Sequence, residues 1–254
     1  FSDAGYEVVV RPTSYSGEAA KITEELPDTY DLFVCCGGDG TLNEAVAGNL
    51  RRKSPLSIAY IPCGSTNDFG KTLFGDSSML QVAECIIKNE VHTVDCGKLE
   101  EKPFIYTAAF GLFTEISYET PRAEKAILGH AAYVIEAARN LGNIKTHEVK
   151  VVLDDGEVIK GNFLMGMVTN ADFIGGFQNI TGRDVSLQDG KIELTMVLQA
   201  LLDGGQNEFV IRRKIKKAEF FFSEPTAFTV DGEFGGTYQA AQVSCIEAAV
   251  PLIY

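Results

Sequence analysis

The 254-residue chain has no apolar run long enough to cross a membrane. None of its stretches approaches the roughly 18 consecutive apolar residues that a membrane-spanning helix needs. The N-terminus also lacks a basic region followed by an apolar one, the pattern of a secretory signal. We therefore expect a cytoplasmic protein, with peripheral contact to a membrane left open.

Paired cysteines and excess positive charge are also missing. The six cysteines include no Cys-x-x-Cys pair, and Cys35 and Cys36 lie in an apolar run that predicts a buried strand, so free thiols in a reducing compartment are expected. Lys and Arg total 22 against 35 Asp and Glu, a formal charge of −13 that repels nucleic-acid backbones. The charge balance argues against a nucleic-acid partner.

Repeats, low-complexity tracts and long linkers are absent too, so the chain is expected to form one or two closely connected domains. Over about the first 95 residues, strand-like and helical patterns alternate, which is typical of a parallel sheet covered by helices. Strands are predicted at 7–10, 31–36 and 56–61, and helices at 17–26, 41–50 and 77–89.

After Asp95 strand-like segments dominate, which predicts a β-rich second domain. The exception is a helical pattern at 121–141. Residues 1–5 resemble the end of a helix that leads directly into a strand, whereas a doubly wound sheet usually opens with a strand and a helix. The first βα unit is therefore expected to be missing from this chain.

A glycine-rich turn, Gly-Gly-Asp-Gly-Thr at 37–41, lies between a predicted buried strand and a helix. Glycines allow the backbone to approach a ligand closely, and the helix N-terminus presents unpaired N–H groups that favour phosphate. Asp39 would repel bare phosphate, so its presence indicates a Mg²⁺ ion between carboxylate and phosphates. The alternative is an ordinary βα turn in which Asp39 or Thr41 is the N-cap.

A second turn, Pro-Cys-Gly-Ser-Thr-Asn-Asp-Phe at 62–69, follows the next predicted strand. Because loops at the carboxyl ends of neighbouring parallel strands converge, Asp39 and Asp68 could share a metal or a substrate. Read alone, Ser65, Thr66 or Asn67 would cap the following helix.

Together these turns resemble the catalytic domain of diacylglycerol and sphingosine kinases, particularly the soluble bacterial lipid kinases. Segments 94–97, 125–133, 186–191 and 231–233 resemble later motifs of the same family in the same order. The first turn is shared with NAD kinases, whereas the ordered set is specific.

The resemblance implies a three-layer α/β nucleotide-binding domain of the NAD-kinase and diacylglycerol-kinase type, made of residues 1–96 and 245–254. A β-sandwich domain for the lipid would be inserted at 97–244. It also implies an ATP-dependent lipid kinase that moves the γ-phosphoryl group of Mg-ATP onto the hydroxyl of diacylglycerol or a related lipid.

The roles implied by the resemblance fall on matched positions. ATP would be held by Thr13, Gly37, Gly38, Asp39, Gly40, Thr41, Leu42, Asn43, Glu44, Gly64, Ser65 and Asn67. The catalytic Mg²⁺ network would use Asp39, Asp68 and Asp95. Glu233 would accept the proton of the lipid hydroxyl, with Asp231 beside it.

A structural Mg²⁺ is implied at Ser186, Asp189 and the carbonyl of Lys191, although serine is a poorer ligand than a carboxylate and Asp-Gly is also an ordinary hairpin turn. The other Asp-Gly-Glu copy, at 155–157, is interpreted as a hairpin without chemistry. On pattern alone the copy at 231–233 could be another hairpin, and the family order selects it.

Three further features have two interpretations each. Lys125 could stabilise the transferring phosphate or be a surface lysine. The basic run at 212–217 could contact a membrane surface or protect a sheet edge, and the apolar loop at 173–177 could line an acyl-chain entrance or pack in the core. The expected partners are a lipid met transiently at a membrane and, as an open alternative, a second copy in a homodimer.

Three rival functions remain open, and for one of them, a multidrug-resistance or membrane-partner accessory role, the sequence offers no motif. An NAD kinase would share the first turn, although the motifs at 67–69 and 231–233 argue against it. A non-catalytic nucleotide-binding module would fit the lack of the family's first phosphate loop.

Overall fold

The structure, a computed structural model, describes residues 1–88, 90–111, 145–174, 177–178, 185–199 and 210–254. The helix predicted at 121–141, with Lys125, lies outside these residues, as do Gly175 and Gly176 of the predicted apolar loop. After a 3₁₀ turn at Ser2–Ala4, the helices are α1 (Glu18–Glu25), α2 (Asp39–Leu50), α3 (Asp68–Phe74) and α4 (Met79–Lys88).

Strands outnumber helices in the described part of the chain. The first nine are β1 (Phe33–Gly37), β2 (Ile58–Pro62), β3 (Val91–Leu99), β4 (Lys102–Phe104), β5 (Thr107–Gly111), β6 (His147–Leu153), β7 (Val158–Thr169), β8 (Phe173–Ile174) and β9 (Phe177–Gln178). They are followed by β10 (Ile192–Leu198), β11 (Val210–Ile215), β12 (Lys217–Val230) and β13 (Glu233–Ile253).

Parallel pairing, which the alternating first part predicts, joins β1 to β2 and β2 to the end of β13. The remaining pairs of the sheet are antiparallel, in the order β13, β12, β5, β7, β10 and β11, with β3 and β6 branching from β13 and β12. One 11-stranded sheet therefore begins as a parallel α/β sheet and continues as an antiparallel one.

Helices cover both faces of the parallel part. On one face Leu42 and Val46 of α2 pack against Ile58 and Tyr60 of β2, and on the other Val82 and Ile86 of α4 pack against Ala59. Apolar residues on both faces of β2 are what a central strand between two helical layers requires. The three-layer α/β arrangement expected from the sequence is confirmed.

A second apolar cluster fills the antiparallel part and includes Phe110, Phe163, Phe220 and Phe228. Strands β3 and β13 contribute residues to two apolar clusters. In β3, Leu99 belongs to the cluster of the antiparallel part, whereas Val94 belongs to the cluster formed by α2 and β2. The predicted division into 1–96 with 245–254 and 97–244 stays a prediction.

The strand predicted at 7–10 is wrong, because these residues adopt no regular structure and Val10 is 79% exposed. An apolar run becomes a strand only when a neighbouring strand accepts its hydrogen bonds, and the described residues pair none with this segment. Separately, no described helix has both the length and the apolar character to pass through a bilayer.

Candidate active site

The two glycine-rich turns meet at the carboxyl ends of β1 and β2. The N–H of Cys63 donates to the carbonyl oxygen of Gly37 at 2.7 Å, and a Cβ atom added to Gly64 would lie 2.6 Å from the Cα of Gly38. Backbones this close leave no room for a side chain at Gly64. The predicted convergence of the two turns is confirmed.

Helix α2 begins with its N–H groups directed at the first turn. Its N-cap is Gly38, without a side-chain capping hydrogen bond, so the alternative in which Asp39 or Thr41 is the N-cap is wrong. The first N–H groups of a helix have no partner within it, so this end of α2 has donors that could bind a phosphate group. The side chain of Leu42 is buried in the core, so only the backbone of this residue could contact a nucleotide.

Asp39 and Asp68 lie side by side. The N–H of Asp68 donates to Asp39 Oδ2 at 2.9 Å, the hydroxyl of Tyr60 donates to Asp39 Oδ1 at 3.2 Å, and the hydroxyl of Tyr106 donates to Asp68 Oδ2 at 2.9 Å. Burial raises the pKa of Asp39, and the charge of Asp68 adds to the increase while hydrogen bonds oppose it. Lys71 Nζ lies 3.9 Å from Asp68 Oδ1 and offsets part of the negative charge, and a bound cation would relieve the remainder.

This pair of carboxylates fits a magnesium ion that arrives with phosphates. Mg²⁺ usually takes one or two carboxylates, keeps several waters and binds the phosphate oxygens of its nucleotide. Within the described ranges, no three His, Cys, Asp or Glu side chains come together as a complete metal site. Asp39 and Asp68 could hold a nucleotide-bound ion, directly or through water.

A cleft of about 330 Å³ opens beside the first turn. Glu233 faces this cleft, since a Cβ atom added to Gly40 would lie 4.0 Å from Glu233 Oε1. The lining residues are Thr13, Tyr15, Ser16, Gly38, Gly40, Thr41, Glu44 and Glu233. The structure therefore brings the predicted base and the predicted phosphate turn to one space, although they are far apart in the chain.

Glu44 holds the segment that carries Thr13. Its Oε1 accepts hydrogen bonds from the N–H of Gly17 at 2.7 Å and from the hydroxyl of Ser16 at 3.3 Å, and its Oε2 accepts one from the N–H of Ala19 at 3.2 Å. A carboxylate at the start of α1 is also favoured by the helix dipole. Glu44 thus fixes one wall of the cleft, in addition to lining it.

Asn67 closes the second turn on itself. Its Oδ1 accepts a hydrogen bond from the N–H of Gly64, and its Nδ2 donates to the Gly64 carbonyl oxygen, both at 2.7 Å. Asn67 is the N-cap residue of α3, but its side chain makes no capping hydrogen bond there. The amide therefore shapes the turn, and contact of Asn67 or Ser65 with a nucleotide stays a prediction.

Asp231 is turned away from the cleft and buried. Its carboxylate accepts hydrogen bonds from the N–H groups of Ile105, Tyr106 and Thr107 at 3.0, 3.1 and 2.7 Å. Burial raises its pKa to about 7, although these three donors act in the opposite direction. Asp231 anchors the turn between β12 and β13 that carries Glu233, and it is not among the residues that line the cleft.

Asp95 has backbone partners on both oxygens. Its Oδ2 accepts from the N–H of Gly190 at 2.7 Å and its Oδ1 from the N–H of Ala248 at 2.8 Å. The Nδ2 of Asn170 donates to the Asp95 carbonyl oxygen at 2.7 Å. These contacts tie β3 to the loop before β10 and to the irregular part of β13, and a role for Asp95 in a metal network stays a prediction.

The expected structural magnesium site does not fit the structure. Asp189 Oδ2 lies 2.7 Å from Lys214 Nζ, and Asp189 Oδ1 accepts the N–H of Lys191 at 3.1 Å. The hydroxyl of Ser186 accepts the N–H of Gln188 at 3.4 Å. The carboxylate expected to bind the ion is therefore paired with an ammonium group, which competes with a divalent cation for Asp189 Oδ2.

The basic run lies at a sheet edge formed by β11 and continues into β12. Arg213 pairs with Glu157 at 2.7 Å, and Lys217 pairs with Glu219 at the same distance. Carboxylate partners reduce the net positive charge of the run, which favours a protected edge. Membrane contact through the run stays a prediction.

The other Asp-Gly-Glu copy is a turn, as expected. It joins β6 to β7, and Gly156 has a φ of 87°, a left-handed conformation that glycine adopts without strain. Glu157, as noted above, pairs with Arg213 at the surface.

Sequence reasoning missed Tyr60, Tyr106, Tyr15 and Ser16. Tyr60 is fully buried in a strand that ends at the second turn. A buried tyrosine hydroxyl needs a hydrogen-bond partner, so this position could have been suspected from its place in the apolar run. The sequence around Tyr106 contains no comparable pattern that would have indicated its place in the site.

The α/β sheet covered by helices on both faces, with glycine-rich turns at its strand ends, is a fold that NAD kinases share. A solved NAD kinase from Archaeoglobus fulgidus in complex with ATP shares the fold, with a TM-score of 0.51 at 16% identity over 90% of this chain and 78% of that one. Residues 1–99 match the family described as the diacylglycerol kinase catalytic domain.

Relatives over nearly the whole length establish the family. A diacylglycerol kinase of Bacillus subtilis (strain 168) is 30% identical over 93% of this chain and 82% of its own, and one of Staphylococcus epidermidis (strain ATCC 12228) is 33% identical over 93% and 79%. A solved structure described as a diacylglycerol kinase from Bacillus anthracis str. Sterne has a TM-score of 0.81 at 27% identity, covering 95% of this chain and 82% of that one. The chain belongs to the diacylglycerol kinase family.

Proposed function

We propose that this chain is an ATP-dependent lipid kinase that transfers the γ-phosphoryl group of Mg-ATP to a hydroxyl of diacylglycerol or a related lipid. The observation that carries the proposal is that Glu233 and the glycine-rich turn line one cleft, with Asp39 and Asp68 beside that turn. Relatives that share about a third of their residues with the chain and are named diacylglycerol kinases support the choice of substrate class.

Phosphoryl transfer requires alignment and neutralisation of charge more than covalent chemistry from the protein. The N–H groups at the start of α2 would bind phosphate oxygens, and Asp39 and Asp68 would hold the magnesium ion. The ion supplies charge neutralisation on the phosphates. Glu233 would accept the hydroxyl proton of the lipid as the oxygen attacks the γ-phosphorus, and ADP leaves.

The lipid would be met transiently at a membrane surface. Beside Glu233, the side chain of Phe234 is 57% exposed, so an apolar ring is available near the cleft for contact with acyl chains. A vesicle flotation assay with and without Phe234→Ser tests this part, and equal flotation of both proteins would contradict it.

The main experiment measures transfer from radiolabelled ATP to diacylglycerol, monoacylglycerol, phosphatidylglycerol, a sphingoid base and NAD. Glu233→Gln should lower lipid turnover about a hundredfold or more, because a general base is lost, and leave ATP affinity nearly unchanged. The matched control is Glu157→Gln, which alters the same residue in the surface copy of the motif and should leave turnover unchanged. Equal turnover of the wild type and Glu233→Gln would remove Glu233 from the mechanism.

NAD kinase activity is the second candidate because of the shared fold. Phosphorylation of NAD without phosphorylation of any lipid would replace the proposed function. Binding of ATP without transfer to any acceptor would instead support a non-catalytic nucleotide-binding module.

A further inference from the structure

Two tyrosine hydroxyls donate hydrogen bonds to the carboxylates of Asp39 and Asp68, which lie beside the first glycine-rich turn. Tyr60 lies in β2 and is fully buried, and it reaches Asp39 from within the same α/β layer. Tyr106 lies between β4 and β5, is 9% exposed, and reaches Asp68 from the antiparallel part of the molecule. The two acidic side chains are therefore held from two different sides.

Each of these hydrogen bonds limits how a carboxylate can rotate. Asp39 has one oxygen on the Tyr60 hydroxyl and the other on the Asp68 N–H, and Asp68 has one oxygen on the Tyr106 hydroxyl. Asp39 also accepts a hydrogen bond from the N–H of Phe69, and Lys71 Nζ lies 3.9 Å from Asp68 Oδ1. The two hydroxyl donors act together with these groups to orient the carboxylates.

Tyr106 differs from Tyr60 because its backbone N–H also makes a hydrogen bond to Asp231. The N–H of Tyr106 donates to Asp231 Oδ1 at 3.1 Å, and Asp231 anchors the turn that carries Glu233. A continuous series of contacts therefore runs from the Glu233 turn through Asp231 and Tyr106 to Asp68. The same residue contacts the anchor of the candidate base with its backbone and a candidate metal ligand with its side chain.

We propose that Tyr106 is a positioning residue that fixes Asp68 relative to the turn carrying Glu233, and so sets the place of metal-bound ATP opposite the base. The inference rests on the proposed function for the identity of the ligand. It adds that one hydroxyl group, that of Tyr106, fixes the position of Asp68 relative to the turn that carries Glu233.

The test is Tyr106→Phe, which removes the hydroxyl and keeps the ring and the N–H that Asp231 accepts. Binding of Mn²⁺–ATP, monitored by the enhancement of the water-proton relaxation rate above that of Mn²⁺–ATP without protein, should weaken about tenfold, the effect expected for loss of a group that orients a metal ligand. Tyr238→Phe is the control, since it loses a hydroxyl bond of the same 2.9 Å length to a carbonyl oxygen, that of Gly235. That variant should bind Mn²⁺ like the wild type.

A double-mutant cycle with Asp68→Asn separates positioning from general damage. If Tyr106 acts through Asp68, Tyr106→Phe causes no further loss of Mn²⁺ binding in the Asp68→Asn background. A tenfold loss in both backgrounds, or unchanged Mn²⁺ binding by the single variant, would overturn the inference.

The same measurements distinguish this inference from the proposed function. A wild type that binds Mn²⁺ with ATP but phosphorylates no lipid would refute the kinase proposal and leave the role of Tyr106 measurable. A wild type that binds no Mn²⁺ with ATP would refute the role of Tyr106 as well. Where lipid is phosphorylated, Tyr106→Phe should lower kcat and leave the KM for lipid unchanged, since neither Tyr106 nor Asp68 lines the cleft that Glu233 faces.

Discussion

Replacing Lys214 with methionine tests whether an ammonium group, and not a magnesium ion, holds the loop before β10. Lys214 Nζ lies 2.7 Å from Asp189 Oδ2 and 3.7 Å from Glu193 Oε1. The side chain of Glu193 is only 6% exposed, whereas that of Asp189 is 31% exposed. Methionine keeps most of the apolar stem and removes the charge.

The expected cost depends on pH because the two carboxylates respond differently. Loss of the partly exposed pair with Asp189 costs about 0.5–1 kcal/mol at any pH where Asp189 is ionised. Burial raises the pKa of Glu193 to about 7 even though Lys214 lowers it, so without Lys214 the pKa rises further. Each unit of that increase is worth about 1.4 kcal/mol once wild-type Glu193 is ionised.

The direction of the pH effect on stability depends on whether the folded or the unfolded protein binds the proton of Glu193 more tightly. Because the pKa of Glu193 is higher in the folded protein, its contribution to stability is greatest at low pH and is lost as the pH rises through about 7. At about pH 6 Glu193 is largely protonated with or without Lys214, and only the Asp189 pair is lost. At about pH 8.5 Lys214→Met should cost more than at about pH 6, by about 1.4 kcal/mol for each unit by which the pKa of Glu193 rises, since the variant must keep Glu193 protonated or lose the ammonium group beside its charge.

Urea unfolding followed by circular dichroism at both pH values, in EDTA and in Mg²⁺, gives the free energy of unfolding directly. Lys160→Met is the control, because Lys160 is an exposed lysine on β7. A difference in the free energy of unfolding between Lys214→Met and the wild type that does not change with pH would refute the reasoning about Glu193. Stabilisation of the wild type by Mg²⁺ that is lost in Asp189→Asn would refute the assignment of Lys214 to this position, since stabilisation through Asp39 and Asp68 would persist in that variant.

Two further substitutions test close contacts elsewhere. In Gly48→Ala the new Cβ atom would lie 2.1 Å from the carbonyl oxygen of Ala20, so α1 and α2 should separate at a cost of about 1–3 kcal/mol despite the better helix propensity of alanine; an unchanged thermal midpoint would contradict this packing. In Asp231→Asn the amide has a single acceptor oxygen for three N–H donors, so we expect a loss of about 1–3 kcal/mol and faster hydrogen exchange at residues 105–107; unchanged exchange there would show that Asp231 is not their partner.

Local patterns predicted the elements that are held by their own periodicity. Helices α1, α2 and α4 and strands β1 and β2 lie within about two or three residues of the predicted bounds, because apolar spacing reports which face of an element is buried. The strand at 7–10 was wrong for the opposite reason, since its pattern fits a strand but its hydrogen bonds need a partner. Periodicity describes burial and carries no information about pairing.

The same distinction between local pattern and tertiary contact explains which features of the candidate active site could be predicted. That the turns at 37–41 and 62–69 meet was predictable, because each follows a strand and parallel neighbours end at one edge of the sheet. Asp231 and Glu233 are two residues apart, yet the turn between them, with φ values of 48° at Asp231 and 86° at Gly232, directs one carboxylate into the protein and the other to the cleft. No spacing rule distinguishes them.

The sequence by itself determined the family, the layered α/β arrangement of the first part and the meeting of two glycine-rich turns, because these depend on short local motifs and on their order along the chain. Tertiary structure alone decided the partners of the acidic side chains: backbone amides for Asp95 and Asp231, tyrosine hydroxyls for Asp39 and Asp68, and a lysine for Asp189. A carboxylate can accept from an amide, a hydroxyl, an ammonium group or a metal ion, and the choice depends on which donor the fold brings within about 3 Å.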